Sequence, residues 1–257
     1  MTAEPSEDTP GVLTMLTMEE VRKIRPATRR LRQGQRGKPC VYCGGEAPGT
    51  TMDHVFAETL FDTVPRDALT VPACRSCNES KAIGDEILHV VVTLSKDAMR
   101  APGDIVHHAE IARAIKRTQS TAGLAAWRAY CLRKQVDPFR LGGDIPVPID
   151  GAHLDTTLRM IVRGLFFKIH GRILPVDCPD FAVPLSQLEA PEYLLFIASD
   201  PDHHLGQRGN KTVQWIMSST SLFGENSVAC VLLFKGGVFY LCGTGDLADD
   251  SDDNQKF

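Results

Sequence analysis

Two closely spaced pairs of cysteines constrain the fold of this chain more than any other feature of its sequence. The first pair is Cys40 and Cys43, and the second is Cys74 and Cys77. A Cys-x2-Cys spacing places two thiols on one tight turn, and two such turns supply the four sulfur ligands of a tetrahedral zinc site. With all four positions filled, no coordination site is left for water. We therefore predict one structural Zn²⁺ ion on these four cysteines.

Disulfide bonds are the alternative use of eight cysteines. The remaining four, Cys131, Cys178, Cys230 and Cys242, are scattered among apolar neighbours and are expected to be small buried side chains. The acidic N-terminus lacks the basic start and the apolar stretch of a secretion signal. No apolar run approaches the roughly 20 residues of a membrane span. These features favour zinc over disulfides and predict a cytoplasmic protein without membrane contact.

The 30 residues between the two cysteine pairs are too many for a simple zinc ribbon and must fold into structure of their own. Residues 50–55 are typical of a β-strand, and residues 69–71 are typical of a second strand that ends at Pro72. A helix is predicted from Asn78 onward, with a weak point at Gly84. The pattern therefore indicates two strands followed by a helix.

Three polar residues in this unit suit a catalytic divalent metal. Asp53 and His54 end the first strand, and Asn78 directly follows the last cysteine. One carboxylate and one carboxamide oxygen are ligands that Mg²⁺ accepts. An imidazole with a pKa near neutral can accept a proton from an attacking water. Taken singly, the Asp-His pair is also typical of an exposed turn, and Asn78 is typical of a helix N-cap.

In combination, these residues resemble the HNH endonucleases, also called the ββα-metal nucleases. The matching residues are 40–43 (CVYC), 52–55 (MDHV) and 69–81 (LTVPACRSCNESK). The layout is especially similar to the branch with four zinc cysteines, and the resemblance covers residues 39–95. Two positions depart from the family pattern, because Ala57 replaces a frequent proline and Asp67 replaces an asparagine that orders the loop before the second strand.

The resemblance implies a mechanism for phosphodiester hydrolysis. His54 would act as the general base on water, and Asp53 with Asn78 would hold one Mg²⁺ or Mn²⁺ ion that binds the scissile phosphate. The products would carry a 5′-phosphate and a 3′-hydroxyl. Asp85 and Glu86, further along the same helix, are expected to be solvated residues rather than metal ligands.

The charge distribution favours a nucleic-acid partner. The formal net charge is −4, but the two acidic ends hold −7 of it, so residues 16–245 carry +3. Residues 16–38 contain eight basic residues and two acidic ones, which indicates a backbone contact, or else a solvated helix face. The predicted nucleic-acid contacts are Arg29, Arg30, Arg32, Arg36, Lys38, Arg75 and Lys81.

The predicted fold class is α+β, with a zinc-stabilised HNH unit, a helical middle segment and a C-terminal mixed α+β domain. The segments are an acidic tail (1–15), a basic arm (16–38), the HNH unit (39–95), a helical segment (96–141), a linker (142–150), an α+β domain (151–245) and a second acidic tail (246–257). In that domain we predict a helix over residues 154–170, closed by Gly171, and strands over 193–198, 212–217, 228–234 and 238–242.

These observations predict a metal-dependent HNH-type endonuclease that hydrolyses nucleic-acid phosphodiester bonds, with double-stranded DNA as the expected substrate. A noncatalytic zinc module that binds nucleic acid or protein is one alternative. An RNase is another, because a phosphodiester site does not identify the sugar. The sequence leaves self-association through residues 151–245 open.

Overall fold

The structure is a computed structural model, and it describes residues 37–98, 105–136, 151–178, 180–185, 190–219, 227–235 and 237–244. Over these ranges the chain is a mixed α+β protein with five α-helices and two antiparallel sheets. The two acidic tails, the basic arm up to residue 36 and the predicted linker lie outside the described residues.

The helices and strands are numbered in chain order. The helices are α1 (Arg75–Ala98), α2 (Ile105–Arg117), α3 (Thr121–Val136), α4 (Gly151–His170) and α5 (Ala190–Ala198). The strands are β1 (Thr51–His54), β2 (Thr70–Ala73), β3 (Asp180–Leu185), β4 (His204–Arg208), β5 (Val213–Ser218), β6 (Val228–Phe234) and β7 (Val238–Thr244). A short 3-10 helix, Glu58–Leu60, follows β1.

A two-stranded sheet and the helix after it form the N-terminal unit. β1 pairs with β2 in antiparallel register, and α1 begins two residues after β2. Pro72 lies inside β2 rather than ending it, because an edge strand tolerates a proline. The predicted helix start is also wrong, since α1 begins at Arg75 and Asn78 is its fourth residue.

Gly84 is a packing position rather than a weak point of α1. The helix continues through it without interruption. A side chain at this position would collide with the hydroxyl of Thr157 and the backbone carbonyl of His153, both on α4. The absence of a side chain therefore lets α1 and α4 approach closely, and the Thr157 hydroxyl donates a hydrogen bond to the carbonyl of Lys81 at 3.1 Å.

The larger sheet has five antiparallel strands in the order β3-β7-β6-β5-β4. Alternate residues face opposite sides, as strand geometry requires. The face towards α4 buries Val213, Trp215, Met217, Val228, Cys230, Leu232, Phe234, Tyr240 and Cys242. The other face buries Ile216, Ala229, Val231 and Leu241 against Ile197 of α5. Burial on both faces explains the nearly continuous apolar sequence of β6.

One predicted strand of the C-terminal half is a helix. Residues 193–198 belong to α5, because a short apolar run fits either structure and its packing decides. Leu194 and Ile197, three positions apart, pack on the sheet, whereas Leu195 and Phe196 are exposed. The predicted strands at 212–217, 228–234 and 238–242 correspond to β5, β6 and β7, and the sequence did not predict β3 or β4.

The N-terminal unit and the C-terminal half share one hydrophobic cluster. It runs from Val41, between Cys40 and Cys43, through α4 to the inner face of the large sheet. At one close approach a side chain on Gly164 would lie 2.8 Å from a methyl carbon of Val55, the residue after β1. The sheet and α4 therefore support the strand that carries Asp53 and His54. None of the described helices is both long and apolar enough to cross a bilayer.

Candidate metal and catalytic site

The four cysteines of the two Cys-x2-Cys pairs come together at one point. Their sulfur atoms all lie within 4.8 Å of one another. A zinc ion with sulfur ligands at about 2.3 Å would separate those sulfurs by about 3.8 Å, so small side-chain movements suffice to fill a tetrahedral site. Cys40 and Cys74 are buried, and Cys43 and Cys77 are half-buried. The cluster could therefore hold a zinc ion with no position left for water.

The electrostatics of the thiols suit metal binding. Burial raises the pKa of Cys40 and Cys77. At Cys74 burial acts in the same direction, but hydrogen bonds from the Ser76 hydroxyl and the Cys77 backbone N–H outweigh it and lower the pKa to about 7. The Cys74 thiol therefore ionises readily, whereas Cys40 and Cys77 retain their protons. A bound divalent cation would stabilise the thiolate form of the cluster and offset the cost of ionising buried thiols.

The first cysteine turn also contacts β1. Gly44 and Gly45 follow Cys43 with φ values of +65° and +91°, which closes the turn. Tyr42, between the two cysteines, is almost fully buried, and its hydroxyl donates a 2.7 Å hydrogen bond to Oδ2 of Asp53. Burial, together with the nearby Asp53 charge, raises the pKa of Tyr42, so it remains a donor at neutral pH. The cysteine cluster and Asp53 are thus linked by one side chain.

Two side chains of β1 contact two side chains on one face of α1. Thr51 and Asp53 lie two residues apart on one face of β1, and Asn78 and Lys81 lie three residues apart on one face of α1. The Asn78 side chain donates a 3.3 Å hydrogen bond to the Thr51 hydroxyl, and the Lys81 ammonium lies 3.6 Å from Oδ2 of Asp53. Asp53 and Asn78 therefore flank the same strand–helix junction, without a hydrogen bond between them in the described residues.

The structure does not support the predicted role of Lys81 as a nucleic-acid contact. Its side chain is completely buried. The ammonium donates hydrogen bonds to the backbone carbonyl of His54 at 2.9 Å and to both carboxylate oxygens of Asp85 at 3.0 and 2.8 Å. Burial opposes the charge, but the carboxylates of Asp85 and Asp53 outweigh it and raise the pKa of Lys81. The cation is therefore committed to the protein interior and cannot reach a phosphate.

Asp85 and Glu86 are predicted to be solvated, but in the structure both carboxylates are engaged by other residues. Burial raises the pKa of Asp85 to about 6, although the Lys81 ammonium acts in the opposite direction. Glu86 accepts hydrogen bonds from the backbone N–H groups of Gln119 at 2.8 Å and Ser120 at 3.1 Å. It thus places a negative charge at the N-terminus of α3, where the helix dipole favours it.

His54 is the last residue of β1 and directly follows Asp53. Its side chain is 25% exposed, and its enclosed Nε2 atom lies 3.2 Å from Oε1 of Glu58, without the alignment of a hydrogen bond. Glu58 also lines a cleft of about 550 Å³ between the 3-10 helix, α1 and α2. Arg113 and Arg117 line the opposite wall of this cleft. The imidazole is therefore close to solvent and makes no described contact with Asp53 or Asn78.

The two departures from the HNH pattern have defined environments. Ala57 is buried and immediately precedes the 3-10 helix, where its ψ of 135° suits either alanine or proline. Asp67 lies 3.5 Å from the guanidinium of Arg208 on β4. An exposed ion pair therefore links the loop before β2 to the large sheet.

Of the predicted nucleic-acid contacts, only two are both described and exposed. Lys38 precedes the first cysteine, and Arg75 begins α1 with a 2.7 Å ion pair to Glu79. Arg29, Arg30, Arg32 and Arg36 lie outside the described residues. The positions of Lys38 and Arg75 leave two cations on the surface of the unit that carries the cysteine cluster.

The sequence does not predict the roles of three residues that shape the site. Tyr42 is a hydrogen-bond partner of Asp53, Glu58 lies beside His54, and Lys81 is buried rather than exposed. The available signals were the i, i+4 spacings from His54 to Glu58 and from Lys81 to Asp85, which bring side chains together on a helix or turn.

No protein-family model, curated protein or solved structure matches this chain. The function of the site therefore has to be argued from its own residues.

Proposed function

We propose that this protein is a metal-dependent endonuclease of the HNH type that hydrolyses phosphodiester bonds in DNA. The observation that carries the proposal is the junction of β1 and α1 beside the four-cysteine cluster. Asp53 and Asn78 flank this junction, and His54 ends the same strand. An acid, an amide and an imidazole beside a structural metal cluster are the groups that single-metal phosphodiester hydrolysis needs.

The donor set fits one hard divalent cation. Both described contacts of Asp53, from Tyr42 and Lys81, are to Oδ2, which leaves Oδ1 for a metal. The amide nitrogen of Asn78 is engaged by Thr51, so its carbonyl oxygen is the remaining ligand atom. Two protein oxygens suit Mg²⁺ or Mn²⁺, which retain several waters and bind substrate phosphate. When bound, such an ion would polarise the scissile phosphate and offset the charge on the leaving oxygen.

His54 is assigned the role of general base. Its Nε2 atom lies 3.2 Å from the Glu58 carboxylate, which leaves Nδ1 as the ring nitrogen available to an attacking water. The position of the imidazole at the end of β1, partly exposed, is compatible with access by both water and a phosphate backbone.

Surface charge supports a polyanionic substrate. Lys38 and Arg75 are exposed on the unit that carries the site. The sequence adds the basic residues of 16–36, and residues 16–245 together carry a net charge of +3. Contacts of this kind bind phosphates without selecting bases, so affinity is expected to fall steeply with added salt.

Plasmid nicking by the purified, zinc-loaded chain tests the proposal. With Mg²⁺ or Mn²⁺ the wild-type protein should convert supercoiled DNA to nicked or linear forms, and EDTA should stop it. His54→Ala should slow cleavage by about 10²- to 10⁴-fold while leaving DNA binding unchanged, because a general base contributes that much. His204→Ala, which removes an exposed histidine on β4, is the matched control and should cleave normally.

The same assay separates the alternatives. Parallel reactions on plasmid, single-stranded DNA and structured RNA should show cleavage of DNA, and cleavage of RNA alone would make the protein an RNase. Zinc-loaded protein that binds DNA but cleaves nothing with either metal would be a noncatalytic binding module. Equal cleavage by wild type and His54→Ala would mean that the general base is misassigned.

A further inference from the structure

Lys81 is the most deeply buried charged residue near the candidate site. It is completely inaccessible to solvent. Burying an ammonium group is costly unless charged partners and hydrogen bonds compensate for the lost hydration. An apolar side chain at this position would fill the space without that cost. The placement of the charge therefore calls for an explanation beyond packing.

The contacts of the ammonium connect α1 to the two consecutive residues that the proposed mechanism uses. On one side, both oxygens of Asp85 hold it from the next turn of the same helix. On the other side it donates to the backbone carbonyl of His54 and lies 3.6 Å from Oδ2 of Asp53. Because α4 contacts the Lys81 carbonyl through Thr157, the lysine backbone is fixed as well.

These contacts set the direction of two functional groups. Lys81 and Tyr42 approach the same oxygen of Asp53, so the carboxylate is fixed with Oδ1 on the opposite side. The hydrogen bond to the His54 carbonyl fixes the last peptide of β1, from which the imidazole projects. Groups that orient a metal ligand in this way commonly change metal affinity by about 10- to 100-fold when they are removed.

We propose that Lys81 is a positioning residue, which holds Oδ2 of Asp53 and the carbonyl of His54 so that Oδ1 faces a divalent cation and the imidazole faces the attacking water. The inference depends on the proposed function. It also assigns Asp85 a role as the partner that keeps the ammonium charged in the interior. Asp85 is not a metal ligand, because both of its oxygens are occupied by Lys81.

The test is the affinity of the zinc-loaded protein for Mn²⁺, measured by the electron paramagnetic resonance signal of the free ion. The variant Lys81→Met/Asp85→Asn removes the buried charge and its partner together. It should bind Mn²⁺ about 10- to 100-fold more weakly than wild type. The matched control, Arg163→Met/Asp180→Asn, removes a second buried ion pair that touches no candidate site residue, and it should bind Mn²⁺ like wild type.

Kinetics on plasmid DNA provide a second readout. The Lys81→Met/Asp85→Asn variant should lower kcat and leave KM for DNA unchanged, because the DNA-binding surface is intact. If the double variant loses its zinc or unfolds, Lys81→Gln replaces it. That side chain keeps a donor but is too short to reach both β1 groups, so Mn²⁺ binding should still weaken about tenfold.

The outcomes separate the two proposals. Wild-type Mn²⁺ affinity and kcat in a folded Lys81 variant would overturn the positioning role and leave the nuclease assignment intact. A wild-type protein that neither binds Mn²⁺ nor cleaves DNA would overturn the proposed function, and the inference with it. Weaker Mn²⁺ binding in the Lys81 variant but not in the Arg163 control supports both.

Discussion

Lys81 and Arg163 are both buried cations, but the structure uses them differently. Arg163 on α4 makes a two-point contact with Asp180 at 2.7 and 3.0 Å and donates to the backbone carbonyls of Leu174, Pro175 and Cys178. Its partners belong to the segment after α4 and to Asp180, the first residue of β3. Lys81 makes fewer hydrogen bonds, but they reach the residues that flank the candidate catalytic centre.

The difference shows what a buried charge can contribute in each region. The guanidinium of Arg163 has rigid geometry and donates several hydrogen bonds to one irregular loop and to the first residue of β3. Replacing it should affect stability alone. The ammonium of Lys81 is a compact charge that contacts three residues, Asp85, His54 and Asp53, and the last two are proposed to act in the reaction. Replacing it should affect metal binding beyond its effect on stability.

Loss of the cysteine cluster should have the largest effect of any change in the N-terminal unit. Cys77→Ser removes one of the four sulfur ligands, and structural zinc contributes roughly 10–16 kcal/mol to the folding of small metal domains. We expect the variant to lose its zinc and the ordered contacts of Tyr42 with Asp53. Zinc content by metal analysis and the thermal unfolding curve measure this. Cys131→Ser, a lone cysteine on α3, should retain one zinc per chain.

Arg163→Met should destabilise the C-terminal half by about 3–5 kcal/mol, because it removes the cation that pairs with the Asp180 carboxylate and its hydrogen bonds to three carbonyls. Urea denaturation measures the change. The double variant with Asp180→Asn should recover part of the loss, since no unpaired carboxylate remains. A change in zinc content or Mn²⁺ affinity in either variant would show that the two buried pairs are not independent.

Gly84→Ala tests the contact that joins the two regions. The added methyl group would collide with Thr157 and with the His153 carbonyl, so α1 and α4 must separate. Overpacking of this kind costs about 1–3 kcal/mol. Chemical denaturation measures the effect, and Gly151→Ala, at a position with open space around it, is the control. Equal stability of the two variants would contradict the close packing of α1 and α4.

A smaller effect should appear in the pH dependence of stability. Because burial raises the pKa of Asp85 to about 6, its protonation favours the folded state, and this contribution is lost as the pH rises through 6. The stability of wild type relative to Asp85→Asn should therefore fall by about 1 kcal/mol between pH 5 and pH 7. Asp200 is the control, because a hydrogen bond from Ser218 lowers its pKa and the carboxylate therefore stays ionised from pH 5 to pH 7. The difference in stability between wild type and Asp200→Asn should not change with pH over this range. A constant difference for Asp85→Asn would contradict its burial.

The cysteine cluster and the main strands could be predicted because their signals are local. The Cys-x2-Cys spacing is sufficient to predict each turn, and α4 ends at His170, directly before Gly171, whose φ of +68° suits a helix cap. β6 and β7 were predicted from two apolar runs separated by a glycine-containing turn. In each case neighbours along the chain supply the information.

The remaining features depend on contacts between distant segments. α5 was predicted as a strand because its apolar run is too short to show helical spacing, and only packing against the large sheet selects the helix. The sequence of β4 is mostly polar and exposed, so it lacks the usual strand pattern. Lys81 is predicted as a phosphate contact because it lies one helical turn beyond Asn78, but it is buried through contacts with α4 and β1, which are distant in sequence.

The most direct test of the account is a crystal structure of the zinc-loaded protein soaked in Mn²⁺, with anomalous scattering recorded at the manganese edge. We expect one manganese peak bound by Oδ1 of Asp53 and the side-chain oxygen of Asn78, with the His54 imidazole facing a water on that ion. A crystal with zinc on the four cysteines and no manganese peak between Asp53 and Asn78 would contradict the proposed catalytic centre.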